Sequence, residues 1–351
     1  MLTLLYFILI LGLIVLVHEF GHFIFAKMFG VYVYEFSIGM GPKIIGTKTK
    51  KGKTAYNLRA LPIGGFVQLA GEDATEEDKD IPKGSHLYEK PIWQRFLIMF
   101  FGAGNNFILA LILLFMVGLF HGAPVMDPVI TNLDEAGAMY TAGIKVGDEV
   151  VSINGNKTAT TDDIKVYLTL ENNGKETSIV VKRDGEEITY KVTPNKEYDE
   201  ESKKDVYRYG ITFEENLEHG LLPAIKFTGR KFAAFAKQMV ITFKYLFSGR
   251  VGLKDMSGPV GIYSIVGDAA KENTLLNLTN LTALLCINVG LLNLIPFPAF
   301  DGGRILFLLI EKIKGKPVNP KVENAINTVG FILLMLLIVV VTVSDIGKLI
   351  K

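Results

Sequence analysis

The 351 residues are 49% hydrophobic yet 21% charged, and 37 Lys plus Arg nearly balance 36 Asp plus Glu, for a net charge of +1. Balanced charge excludes a bulk polyelectrolyte partner such as nucleic acid, and the single cysteine, Cys286, excludes an intrachain disulfide. So much apolar content beside ordinary charge points to lipid-facing segments alternating with water-facing ones.

The first apolar run, Leu4 to Val17, ends in His18-Glu19-Phe20-Gly21-His22. About 20 apolar residues cross a bilayer, and residues 1–29 are long enough. The alternative is a cleaved signal peptide. The stretch lacks a basic n-region and a small-residue cleavage site, and the polar motif falls where the cut should be, so a retained helix is expected. In residues 30–95, two strand-like segments flank a polar turn from Gly46 to Thr54, dense in Lys43, Lys48, Lys50, Lys51, Lys53 and Arg59. A second span, 96–120, carries Asn105 and Asn106.

Residues 125–195 read as a small β-rich domain. The run from Ala142 to Thr158 gives a helix end, a Gly-Asp turn, an alternating strand and an Asn-Gly hairpin, and "TSIVVKRDGEEITYKV" adds further alternating strands. Residues 196–280 form a linker containing an amphipathic stretch, 224–247. Its Lys226, Arg230, Lys237 and Lys244 fall within roughly 40° of each other, opposite Phe232, Phe235, Met239, Phe243 and Leu246, with Lys231 between the faces. Such a helix either rests on the outer leaflet and ties the domain to the third span or packs as a core helix of the domain. The third span, 281–310, is interrupted by "NLIPFPAFDGG", and the fourth covers 326–343.

Four spans place both termini on one side. The lysine-dense 30–95 segment and the hairpin carrying Lys312, Lys314, Lys316 and Lys321 are cytoplasmic by the positive-inside rule, so the termini and residues 121–280 lie outside.

Ionisable groups at membrane depth cost roughly 2.5–3.5 kcal/mol each even on a lenient insertion scale. A metal offsets that cost. His18 and His22 lie one helical turn apart on one face, so each can give a nitrogen to one Zn²⁺, while Glu19 can take a proton from water. From Leu4 to His18 the helix rises roughly 21 Å, which puts the site in the cytoplasmic third of the bilayer. Hydrolytic zinc takes three protein ligands. His86, His121 and His219 lie in loops or near span ends, whereas Asp301 sits on a break at membrane depth, where Pro296 and Pro298 stop the helix. Asp301 is therefore the third-ligand candidate; capping of the helix that begins near Arg304 is compatible with that role.

HEFGH on a first span, with Asn293, Pro296, Pro298, Asp301, Gly302 and Gly303 on a late one, resembles the site-2 protease family of intramembrane zinc metalloproteases, in particular its regulator-of-sigma-E protease branch. Further matches run in the family's order: "FSIGMGP" (36–42), "LPIGGFVQLAGE" (61–72), "GAGNNF" (102–107) and "SGPVGI" (257–262). Three positions depart from it: Ala299 and Phe300 stand where the family more often has an aliphatic leucine, and Arg304 where histidine is common.

The resemblance implies His18, His22 and Asp301 as zinc ligands, Glu19 as general base, and Asn293 as a contact to the substrate backbone or oxyanion; a helix-packing role for Asn293 is the alternative. The implied fold is a polytopic α-helical membrane protein with four transmembrane helices, a membrane-associated β-hairpin and an inserted extracytoplasmic PDZ domain. The hairpin edge would pair with unwound substrate. The PDZ domain would bind peptide C-termini or extended segments, filter substrates by size, or act as a spacer. Implied partners are the lipid bilayer and single-pass membrane proteins such as anti-sigma factors or remnant signal peptides, in a bacterial inner or plasma membrane. A membrane metal transporter and an inactive PDZ scaffold are the rival functions.

Overall fold

The computed structural model describes residues 2–48, 54–72, 81–170, 174–199, 204–214, 216–249, 252 and 256–350. Most of the turn expected at 46–54, with Lys50, Lys51 and Lys53, lies outside the described residues. The chain divides into two compact units, Met1–Leu113 with Leu253–Lys351, and Leu114–Gly252.

The first unit opens with helix α1 (Leu2–Met28), strands β1 (Val33–Lys48) and β2 (Ala55–Leu69), and helix α2 (Ile92–Phe120), which begins at Ile92 rather than 96. The strands pair antiparallel with several register shifts. Glu35 to Ile38 lie opposite both Gln68 to Gly65 and Ala55 to Leu58, and the latter also lie opposite Lys48 to Ile45. Two long strands thus double back into four neighbouring segments. The Gly65–Gln68 segment borders α1, where the Val67 N–H donates to Glu19. Ala26, Val31, Val33, Leu69, Leu87, Ile98 and Met99 form a buried cluster that ties α1, the strands and α2 together.

The second unit contains β3 (Ala123–Pro124), β4 (Asn132–Leu133), α3 (Ala138–Thr141), β5 (Glu149–Ile153), β6 (Asn156–Lys157) and α4 (Thr161–Leu170). It continues with β7 (Thr177–Arg183), β8 (Glu186–Val192), β9 (Asn195–Asp199), β10 (Lys204–Arg208), β11 (Ile211–Thr212), β12 (Leu217–Glu218) and α5 (Leu221–Phe247). Four strands form a sheet in the order β6-β5-β7-β8, and β9–β10, β4–β11 and β3–β12 make separate pairs. Alternation works as expected from sequence: Ile179 and Val181 of β7 point into a core with Val150, Ile153, Ile164 and Val192.

Half of the basic stripe of α5, Arg230 and Lys237, together with Lys231 beside it, is paired inside this unit. Arg230 pairs with Asp127 (2.6 Å), Lys231 with Asp162 (2.7 Å) and Lys237 with Asp163 (3.0 Å). Ile241 and Tyr245 join the core. Of the two readings of this helix, packing on its own domain is the one these contacts favour, because acids on the facing elements take the cations. Lys226 and Lys244 stay exposed.

The first unit resumes with α6 (Pro259–Ala269), α7 (Thr274–Leu294), α8 (Asp301–Lys314) and α9 (Pro320–Ile350). α7 begins at Thr274 rather than 281, and within that upstream extension the Thr279 hydroxyl donates back to the Leu275 carbonyl, so its polar group is bonded inside the helix. It stops at Leu294, and the two prolines of the following loop prevent its continuation into α8. The Asp345 carboxylate of α9 accepts the Gly258 and Gly261 N–H groups, 2.8 Å each, and so caps α6. That contact accounts for the "SGPVGI" motif: Pro259 has no donor to satisfy, and a Cβ on Gly258 would sit 3.0 Å from the carboxylate. Four helices, α1, α2, α7 and residues 321–348 of α9, are long and apolar enough to cross a membrane.

Candidate active site

His18 and His22 project from one face of α1, each only 9% exposed. α8 brings Asp301 to them from the far end of the chain. The Asp301 Oδ2 lies 3.2 Å from His18 Nε2 and 3.4 Å from His22 Nε2, and the two imidazole nitrogens are 3.2 Å apart. With bonds of about 2.0–2.1 Å, a tetrahedral ion sets its ligands roughly 3.3–3.4 Å apart. The triangle has that size.

Two further observations fit a metal. Asp301 Oδ2 is buried without a hydrogen-bond partner among the described residues, which would be costly for a carboxylate that had no cation to face. It does not cap α8 either: Phe300 is the N-cap residue and no side-chain cap bond is made. His22 Nδ1 donates to the Ile98 carbonyl at 2.8 Å. That bond keeps the proton on Nδ1 and leaves the Nε2 lone pair for a ligand role. These residues therefore fit zinc.

The surrounding backbone makes room for the triangle. A Cβ on Gly102 of α2 would fall 2.3 Å from His22 Nε2 and 3.0 Å from Asp301 Oδ2. Across the turn before α8, Gly302 at the helix start lies so close to Ile295 that a Cβ would meet its carbonyl oxygen at 2.2 Å. Ala299 holds a positive φ of 75° there, a strained state of the kind that clusters at functional sites.

A cavity of about 420 Å³ opens onto the three residues and is also lined by Glu19, Phe66, Val67, Asn293 and Phe300. All five residues singled out from sequence thus share one cavity. Glu19 Oε2 accepts the Val67 N–H at 3.0 Å, so β2 orients this carboxylate. The remaining first-unit histidine, His86, pairs instead with Glu89 at 2.9 Å, and His121 and His219 belong to the second unit. Sequence reading missed the Ile98 carbonyl and the Val67 N–H, since backbone groups leave no residue signature. It also missed Gly102 and Glu72 as individual positions, although both lie inside matched motifs.

Two histidines and a carboxylate that fit zinc share a cavity with an adjacent glutamate, in a chain with four helices long and apolar enough to cross a membrane, an arrangement that suits a membrane metallopeptidase. Residues 6–337 match the family model of Peptidase family M50, and the chain belongs to that family. It is 34% identical to the regulator of sigma-W protease RasP of Bacillus subtilis over 99% of both chains. It is 33% identical to the zinc metalloprotease RasP of Bacillus licheniformis, again over 99% of both, and 32% identical to that of Geobacillus kaustophilus over 97% of both. The enzyme class, the family and the zinc cofactor expected from sequence are borne out.

Proposed function

We propose that the enzyme hydrolyses peptide bonds within transmembrane segments of single-pass membrane proteins, with His18, His22 and Asp301 holding the zinc. The observation that carries the reading is the triangle of ligand atoms, 3.2–3.4 Å on a side, which Asp301 of the short helix α8 completes against two histidines of α1, a helix of membrane length. Bound zinc supplies Lewis acidity that polarises the scissile carbonyl and makes water a nucleophile near neutral pH. Glu19, held by the Val67 N–H, takes the proton of the attacking water. His22 stays in one tautomer through Ile98. Asn293 lines the cavity where the carbonyl oxygen of the substrate would lie, and its amide would donate to the developing oxyanion.

A helical substrate shields its carbonyls, so it must extend first. The Gly65–Gln68 edge beside Glu19 offers the backbone with which such a strand would pair. Residues 125–195, within the second unit, are read as the extracytoplasmic PDZ domain. Support comes from its four-stranded sheet with α4 and from a cavity of about 850 Å³ between α4 and the β11 segment, where a peptide C-terminus or extended segment fits. Both termini are extracytoplasmic in this reading, in a bacterial inner or plasma membrane, and the active site lies in the cytoplasmic third. Substrates would include anti-sigma factors, in keeping with the name of the Bacillus subtilis relative, and remnant signal peptides.

The test compares wild type with Glu19→Gln, measuring bound zinc and cleavage of a model single-span substrate. One zinc per chain is expected in both, with cleavage in wild type alone. Full cleavage by Glu19→Gln would refute the assigned base. Metal transport into vesicles without cleavage would instead mark a transporter.

A further inference from the structure

Next to the catalytic cavity lies a second one, of about 480 Å³, bounded by the end of β2, the start of α2, α8 and the lead into α9. Arg95, Glu311, Glu323 and Asn324 line it beside apolar Leu87, Phe307, Leu308 and Val318, and these polar side chains give water hydrogen-bond partners there. Among the described residues, three line both cavities: Glu72, Met99 and Arg304. Met99 is an apolar core residue, whereas Glu72 and Arg304 form a hydrogen-bonded ion pair. Among the described residues, that pair is the polar part of the shared wall. We infer that Glu72–Arg304 is a gate between the two cavities, through which water and small polar solutes reach the metal site. The inference rests on the zinc-centre reading above.

Two features suit the pair to opening. Both side chains are part-exposed, at 30% for Arg304 and 23% for Glu72, and pairs in contact with water contribute little to stability. A second pair keeps α8 in place when the first one breaks. Arg95 of α2 grips Glu311 with two hydrogen bonds, 2.9 and 2.5 Å, and these partners are only 13% and 16% exposed. Residues 304 and 311 are two helical turns apart and share one face of α8. Loss of the outer pair therefore opens the wall while the inner pair holds the helix that carries Asp301. Hydrolysis consumes one water per peptide bond, and a site among apolar helices needs such a polar passage.

The experiment follows zinc loss from the purified, zinc-loaded full chain to excess EDTA. Glu72→Gln and Arg304→Gln should each speed the loss about fivefold, and the charge exchange Glu72→Arg with Arg304→Glu should return it to within about twofold of wild type. Glu311→Gln breaks the inner pair alone and should leave the rate near that of wild type. Glu72→Asp keeps both charges but shortens the reach, which covers the case in which the neutral variants do not fold; it too should lose zinc faster. Wild-type rates in the folded gate variants, or an equal acceleration by Glu311→Gln, would overturn the gate while leaving the metal centre standing. A wild-type chain that purifies without zinc would overturn the centre, and the gate with it.

Discussion

Replacing Gly102 by alanine is the sharpest perturbation of the metal triangle that leaves every proposed ligand in place. The new Cβ would lie 2.3 Å from His22 Nε2, against ordinary contacts of 3.4 Å and beyond, so the imidazole or α2 must retreat by about 1.1 Å. The nearest atoms belong to His22 and Asp301, so the strain falls on the site. In a helix interior the same exchange is otherwise favourable by about 0.5–1 kcal/mol, which offsets part of the roughly 1–3 kcal/mol that overpacking costs, so overall stability should fall only modestly. A displacement near 1 Å costs about 100-fold in rate. The assay is paired: zinc content by atomic absorption and cleavage of a single-span substrate, with thermal unfolding as the control. The expected result is folded protein with weakened zinc retention and cleavage lowered by about two orders of magnitude. A Gly102→Ala chain that binds one zinc tightly and cleaves at the wild-type rate would refute the geometry.

Asp345→Ala removes the acceptor for Gly258 and Gly261 at the start of α6. Loss of this cap should lower stability by about 1–2 kcal/mol, read as an earlier midpoint in denaturant, and an unchanged midpoint would deny Asp345 its capping role. In the second unit, burial pushes the Asp148 carboxyl up, but two 2.6 Å bonds from Arg183 and one from the Lys145 N–H outweigh it and hold the group below its ordinary value. A depressed carboxyl contributes stability that is complete above the ordinary value of 3.8 and is lost as pH falls through the folded one. Thermal unfolding of this unit should therefore weaken below about pH 4. Asp148→Asn should lower the neutral-pH plateau by roughly 1–3 kcal/mol and flatten the acid limb; an acid limb as steep as in wild type would assign it to other groups.

Much of this enzyme follows from local sequence. Membrane-length apolar runs need no partner to declare themselves, so all four spans were legible, with a boundary error where α7 extends upstream to Thr274 through a stretch containing polar residues. The 3.6-residue period puts His18 and His22 on one face wherever the helix sits, and the prolines before Asp301 break the chain there in any context. Alternation likewise marked the β7–β8 strands of the second unit. Side-chain chemistry alone did not settle what faces what. The α5 stripe looks equally suited to headgroups or to a protein surface until Asp127, Asp162 and Asp163 are seen opposite it. The Ile98 carbonyl and the Val67 N–H belong to a backbone that every sequence shares, and the contact of Arg304 with Glu72 joins residues far apart in the chain. Local sequence determines which groups a helix or strand presents. Only the folding of distant segments against one another decides which of those groups meet, because that choice depends on the whole core and not on any single motif.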